Sequence, residues 1–187
     1  MVAMSDRFDV FTIGFSNRSW EVTLDILQDF GIERLIDIRT LPGSRHTPQF
    51  NQENLARALP LAGIEYVHLK TLGGLRKPNR GDSKNAGWRN ESFRGYADYM
   101  QTPEFARALD QLIRLLLEKR TVYACTEAVF WRCHRALVSD ALQIRGYRPG
   151  HIFSPGDCRP HRLTPFARVE ALQITYPEPE PTLKPEG

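Results

Sequence analysis

Apolar residues along this chain fall in short blocks separated by stretches of helical period, and most blocks are bounded by a polar cap or a glycine. Val10 to Phe15 reads as a buried strand. Ser19 then serves as N-cap for a helix from Trp20 to Phe30, carrying Val22, Leu24, Ile26, Leu27 and Phe30 before Gly31 stops it. Arg34 to Ile38 is a second strand. A turn-rich segment from Arg39 to Phe50 follows, then a short helix from about Gln52 to Leu61 with Leu55, Ala58 and Leu59 on one side, and a third strand from Ile64 to Leu69. The second half predicts a helix beginning near Arg94, a Pro103-started helix to about Lys119, a strand from Arg120 to Cys125, a helix from Arg132 to Gly146 and a last strand around Gly150 to Phe153. Five strands alternating with helices predict an α/β fold: a single three-layer domain, a mainly parallel sheet of about five strands with helices on both faces.

At 187 residues the chain suits one well-cored domain. Residues 1–9 read as an N-terminal extension, 10–170 as the domain, and 171–187, with Pro177, Pro179, Pro181 and Pro185, as a Pro-rich tail expected to be disordered. No run of about eighteen apolar residues occurs, so no membrane partner is expected, and the charged first nine residues contain no signal segment. Three cysteines without framework spacing fit a reducing compartment, and the expected location is cytoplasmic. The net charge of +3 and pI near 8.9 admit a nucleotide or nucleic acid as partner without requiring one, and say nothing of oligomeric state.

One connection is too long to be a simple turn. Between Lys70 and Arg94 periodicity is lost, with Gly73, Gly74, Gly81, Gly87 and Pro78 interrupting, and connections of this length are commonly lids or binding loops. Seven basic residues (Lys70, Arg76, Lys77, Arg80, Lys84, Arg89, Arg94) oppose Asp82 and Glu91, an excess of five that exceeds the net charge of the whole chain. Interleaved with Trp88 and Phe93, such a loop is suited to close over phosphate and stack on a base; the competing reading is a solvated loop.

Chemistry concentrates in the run from Tyr123 to Arg135, which holds Cys125, Glu127, Arg132, Cys133, His134 and Arg135 directly after an apolar strand. Ligands of open α/β sheets collect at carboxyl strand ends, where a following helix turns its N–H groups toward the crevice. Cys125, Glu127 and His134 are the catalytic candidates there. The loops after the first two strands bring Ser16, Arg18, Asp37, Arg39 and Arg45 to the same edge, and arginine forks suit an anion. Gly73, Gly74, Arg76, Arg132, Arg135 and His161 complete the candidate ligand-binding set. For Asp37 and Arg39 a cap or a structural ion pair competes with a ligand role. Arg132 and Arg135, three apart, suit a paired clamp. Cys133, Leu137, Ala141 and Ile144 share one helical face, which favours Cys133 as core. No metal site is expected: Cys158-Arg159-Pro160-His161 resembles half of a zinc site, and a partner doublet is missing.

The strings Thr12-Ile13-Gly14, Ser16-Asn17-Arg18-Ser19, Ile36-Asp37-Ile38-Arg39, Pro42-Gly43-Ser44-Arg45, Leu72-Gly73-Gly74, Phe93 to Met100, Trp131 to Arg135 and His161 to Pro165 resemble the bacterial domain-of-unknown-function 488 family, over residues 10 to 169. The resemblance implies an α/β domain of about this length and no established activity. It gives candidate status to Ser16, Asp37, Arg39, Arg45, Gly73, Gly74, Cys125, Glu127, Cys133, His134, Arg135 and His161. Phe15 stands where the family commonly has histidine, so no acid/base role transfers to that position. A weaker likeness in layout is to rhodanese-like domains, but Cys125 and Arg132 enclose six residues, none of them glycine, instead of a five-residue anion loop.

Three functions follow. The leading one is a site for a phosphate-bearing ligand, nucleotide or nucleic acid, at the carboxyl edge of the sheet, with hydrolytic or group-transfer chemistry if it is an enzyme. The second is a non-catalytic nucleic-acid-binding or regulatory module on the same basic surface. The third is a thiol enzyme using Cys125. Neither a dinucleotide fingerprint nor a Walker loop is present, and no cofactor is expected.

Overall fold

A computed structural model describes residues 7–178 apart from 80 and 82. Its elements are β1 (Val10–Gly14), α1 (Trp20–Asp29), β2 (Arg34–Asp37), α2 (Gln52–Leu61), β3 (Glu65–His68), α3 (Glu91–Tyr99), α4 (Pro103–Glu118), β4 (Thr121–Cys125), α5 (Arg135–Gln143), β5 (Pro149–Ser154), β6 (Asp157–Pro160), β7 (Arg168–Glu170) and β8 (Gln173–Thr175). The first six strands pair in the order β3-β2-β4-β1-β5-β6; β1 to β5 run parallel, and β6 folds back antiparallel on β5.

Alternation along the central strands sorts two cores. Phe11, Ile13, Leu35, Val122 and Ala124 face α1 and α2, meeting Ile26, Leu27, Leu55 and Leu59. Val10, Ile36 and Tyr123 face the other way, onto α3, α4 and α5. On α4, Phe105, Ala108, Leu109, Leu112 and Leu116 recur at helical spacing and are all buried; each large apolar side chain so placed contributes about 1.5–3 kcal/mol. Caps set the helix starts. The Ser19 hydroxyl accepts from the Val22 amide at 3.2 Å, Asn90 Oδ1 from Ser92 at 2.9 Å, and Thr102 from Phe105 at 3.2 Å ahead of Pro103.

The α/β fold with helices on both faces agrees with the sequence pattern, with three local corrections. The sheet gains a sixth strand, because Asp157–Pro160 returns along the exposed side of β5. The helix expected from Arg132 starts three residues later: Phe130–Arg132 forms one 3₁₀ turn, and Cys133 is extended (φ −134°, ψ 146°), so α5 begins at Arg135. Within the segment expected as a tail from 171, Gln173–Thr175 forms β8, which pairs with β7, and Tyr176 is fully buried. Residues 1–6 of the expected extension and 179–187 of the expected tail lie outside the described residues.

Candidate functional site

Parallel register brings three strand ends to one level: Gly14 pairs with Cys125, and Asp37 with Ala124. At this carboxyl edge a cleft of about 330 Å³ opens. Arg39, Thr40 and Leu41 line it after β2, Gly74 and Leu75 after β3, Ser92 and Phe93 from the first turn of α3, and Cys125, Thr126, Arg132, Cys133 and His134 between β4 and α5.

The strand end that carries Cys125 is clamped from both sides. Amides of Phe15 and Ser16 donate to the carbonyls of Cys125 and Thr126, each at 2.8 Å, with Ser16 held in the left-handed region (φ 52°). The guanidinium of Arg135, 1% exposed, donates to Thr12 Oγ1 and to the Glu127 carbonyl. That carbonyl lies so close to β1 that a Cβ on residue 14 would stand 1.9 Å from it, hence Gly14.

Two thiols and an imidazole meet at the floor of the cleft. The ligating atoms of Cys125, Cys133 and His134 lie within 4.8 Å of one another. His134 Nε2 is 3.2 Å from the Ile38 carbonyl, which only accepts, so Nε2 carries the proton. In the neutral ring Nδ1 therefore presents its lone pair, 3.7 Å from Cys133 Sγ. A hydrogen bond from Cys125 holds the Cys133 thiol well below its ordinary range, against burial and with help from His134 and Arg135. The same contact, together with burial, pushes Cys125 well above it.

This arrangement changes the standing of several candidates. Cys133 is buried at 5% exposure, as expected of a core residue, and also lines the cleft; its backbone is extended and it lies ahead of α5. Glu127 offers the fold its backbone carbonyl, and its side chain is not part of the cleft lining. Arg132 and Arg135 do not form a clamp: Arg132 is exposed at the cleft, whereas Arg135 is buried beneath the loop. Arg39 borders the cleft, but its fork is held by Asp37, at 2.9 and 2.6 Å, and by the Phe50 carbonyl. Asp37, fully buried, also accepts from the Tyr66 hydroxyl at 3.0 Å, so the structural ion pair is the observed alternative.

Other candidates lie elsewhere. Arg18 donates to the carbonyls of Gly14 and Phe153, Ser16 bonds Asn17, and Arg45 is exposed; none of the three lines the cleft. Gly73 is buried against Thr40, and Gly74 reaches the cleft wall. Arg76 lies 3.6 Å over the Tyr99 ring and donates to the Gly73 and Thr71 carbonyls. His161 belongs to a separate buried chain: it donates to Asp140 at 2.7 Å and accepts from His151 at 2.9 Å, while Asp140 also receives Thr164 and Tyr176.

The basic loop is anchored. Asp98 accepts from the Asn79 amide, the Ser83 hydroxyl and Asn85 Nδ2 at 2.9, 2.5 and 2.9 Å. Trp88 packs on Phe93, Phe166 and Tyr176, a cluster that takes it out of service as a free stacking face. Arg80 and Asp82, counted in the loop's charge, lie outside the described residues. Phe93, named with Trp88 as an aromatic of the basic loop, lines the cleft; Thr40, Leu41, Leu75, Ser92 and Thr126 line it as well, and no chemical signature in the sequence marks those five.

A family model described as Domain of unknown function DUF488 matches residues 19–142. The chain belongs to the DUF488 family. The matched span holds every DUF488 residue that lines the cleft, from Arg39 to His134. The strings at Thr12–Gly14 and His161–Pro165 lie outside it. Neither the comparison with curated proteins nor that with solved structures finds a match. Among the described residues of this DUF488 protein, no helix is long and apolar enough to cross a membrane.

Proposed function

We propose that the cleft binds one small phosphate-bearing ligand of nucleotide size, with Arg132 meeting the anion and Cys125, Cys133 and His134 forming a reactive floor for hydrolytic or group-transfer chemistry. The observation that carries this reading is convergence: three polarisable donors share one cleft with an exposed guanidinium. A volume of about 330 Å³ suits a single small molecule. Leu41, Leu75 and Phe93 supply apolar wall for a flat ring, and Ser92 and Thr126 supply hydroxyls. A polynucleotide track is less well supported, since Trp88 is packed inward and Arg76 is engaged with Tyr99 and carbonyls.

Isothermal titration of the full chain with nucleoside monophosphates and inorganic phosphate, at low and raised salt, tests the reading. Binding should weaken with salt and fall by roughly tenfold in Arg132→Ala, as for a charge-assisted contact. Arg45→Ala, outside the cleft lining, should bind as the parent does. Absence of binding, or affinity indifferent to Arg132→Ala, overturns it.

A further inference from the structure

The chemistry of that floor can be taken further from its donor geometry. We infer that Cys125, Cys133 and His134 form a three-ligand site for a thiophilic cation, zinc in the first instance, with a fourth position open to the cleft. The inference deepens the proposed reading by assigning its Lewis acid, and it rests on that reading only for the use of the cleft.

Distance is the first argument. Zinc bonds of about 2.3 Å to sulfur and 2.0–2.1 Å to nitrogen, at a tetrahedral angle, place the two donor atoms about 3.6 Å apart. Cys133 Sγ and His134 Nδ1 are 3.7 Å apart, and Cys125 Sγ completes a triangle with no side above 4.8 Å. Closing on one ion therefore requires only small side-chain adjustments.

Orientation is the second. A ligating histidine characteristically donates its other ring N–H to a carbonyl or carboxylate, which sets the tautomer and aims the free lone pair. His134 does this through Nε2 and the Ile38 carbonyl, leaving Nδ1 as the donor atom. The backbone of Cys133 is extended and that of His134 helical (φ −57°, ψ −12°), so consecutive residues turn their donor atoms to one point. Arg135, bonded to the Glu127 carbonyl, fixes the loop between the two cysteines.

Donor type is the third. Two sulfurs and an imidazole select zinc or a similar soft ion over magnesium or calcium, which take oxygen ligands. Among the described residues no carboxylate lines the cleft, and no Cys or His beyond these three does, so the coordination shell would stay open on the side where a ligand enters. A cation there would polarise a phosphoryl oxygen or a bound water, held near Arg132. The sequence spacing hides this site because it lacks a Cys-x-x-Cys doublet: the donors come from a strand end, a 3₁₀ exit and a helix cap.

The test uses the full chain, stripped of metal under a phosphine reductant and titrated with cobalt(II), without any phosphate ligand. One equivalent should bind, with thiolate-to-cobalt charge-transfer absorption and the intense visible bands of a tetrahedral centre, and zinc should displace it. Cys125→Ser, Cys133→Ser and His134→Ala should each weaken binding by at least about 100-fold, whereas Cys158→Ser, with its sulfur elsewhere, should match the parent. If a ligand variant fails to fold, parent stoichiometry and the Cys158→Ser control still decide. No charge-transfer band in the parent, or its loss in Cys158→Ser, overturns the inference. Metal binding without nucleotide binding would sink the proposed function alone. Arg132-dependent nucleotide binding without metal would sink this inference alone.

Discussion

Gly74 surrenders its side-chain space to His134: a Cβ at residue 74 would stand 2.4 Å from Nδ1 and 2.9 Å from Cε1. The loop after β3 thus sets how far the imidazole reaches into the cleft. Gly74→Ala should push the ring off the Ile38 carbonyl and weaken cobalt or zinc binding by roughly tenfold or more, since outer-shell orientation typically governs 10- to 100-fold in affinity. Overpacking should also destabilise by about 1–3 kcal/mol. Unchanged metal affinity in a folded Gly74→Ala protein would contradict the placement of Nδ1.

Asp37 and Arg39 form an ion pair in which the carboxylate is fully buried and the guanidinium 7% exposed. Removing one partner strands a charge out of water. Asp37→Asn should lower stability in urea unfolding by about 3–5 kcal/mol, and Tyr66→Phe, which removes one hydrogen bond to Asp37, by about 1 kcal/mol. A loss below 1 kcal/mol for Asp37→Asn would mean that the pair is solvated.

Asp98 holds the basic loop by accepting three hydrogen bonds. Burial pushes its carboxyl upward, but donors from Asn85, Ser83 and Asn79 outweigh it, and the net position is below 3.8. A depressed carboxylate stabilises above its unfolded pKa and loses that contribution as pH falls through the folded value, so the anchor should hold at mild acidity and release only below 3.8. Asp98→Ala should cost about 2–3 kcal/mol and accelerate amide exchange of Asn85 and Gly87, whose N–H groups bond to Ser83 and Tyr176. Exchange as slow as in the parent would contradict this anchoring role.

His151 is 1% exposed, stacks on Phe130 at 3.5 Å between ring centroids, and donates through Nε2 to His161. Burial, with His161 and Arg135 nearby, lowers its pKa from 6.5 to about 2. The unfolded chain thus binds a proton that the folded chain refuses. Its contribution is complete above pH 6.5 and is lost as pH falls toward 2, with a slope of up to about 1.4 kcal/mol per unit. Urea midpoints recorded from pH 7 to 4 should fall steeply in the parent and more gently in His151→Gln. Identical slopes would show that another group governs acid unfolding.

Much of the architecture was legible in local pattern. Ser19, Asn90 and Thr102 cap helices because a side-chain oxygen next to an amphipathic run has one best use. Strand blocks such as Val10 to Phe15 and Thr121 to Cys125 declare themselves by buried, β-branched content. Cys125 ends a strand, as its place after an apolar block predicts, whereas His134, expected inside a helix from Arg132, stands ahead of α5. The partners of the charged groups were not legible. Arg18 reaches the Phe153 carbonyl, Arg135 reaches Thr12, and Tyr176 reaches Asp140, all across long stretches of chain. A charge counted along the sequence gives no sign of whether its fork is already engaged, as those of Arg39 and Arg135 are.

By itself, then, the sequence determined the alternation of elements, the two-faced sheet and the family, because period, caps and ordered motifs are properties of neighbouring residues. Tertiary structure decided which side chains meet. Cys133, extended and ahead of α5, lines the cleft; the fork of Arg39 is engaged by Asp37 and the Phe50 carbonyl, and that of Arg135 by Thr12 and the Glu127 carbonyl. These outcomes depend on parallel register across β1, β2 and β4 and on loop conformations set by distant hydrogen bonds, quantities that no window of sequence contains.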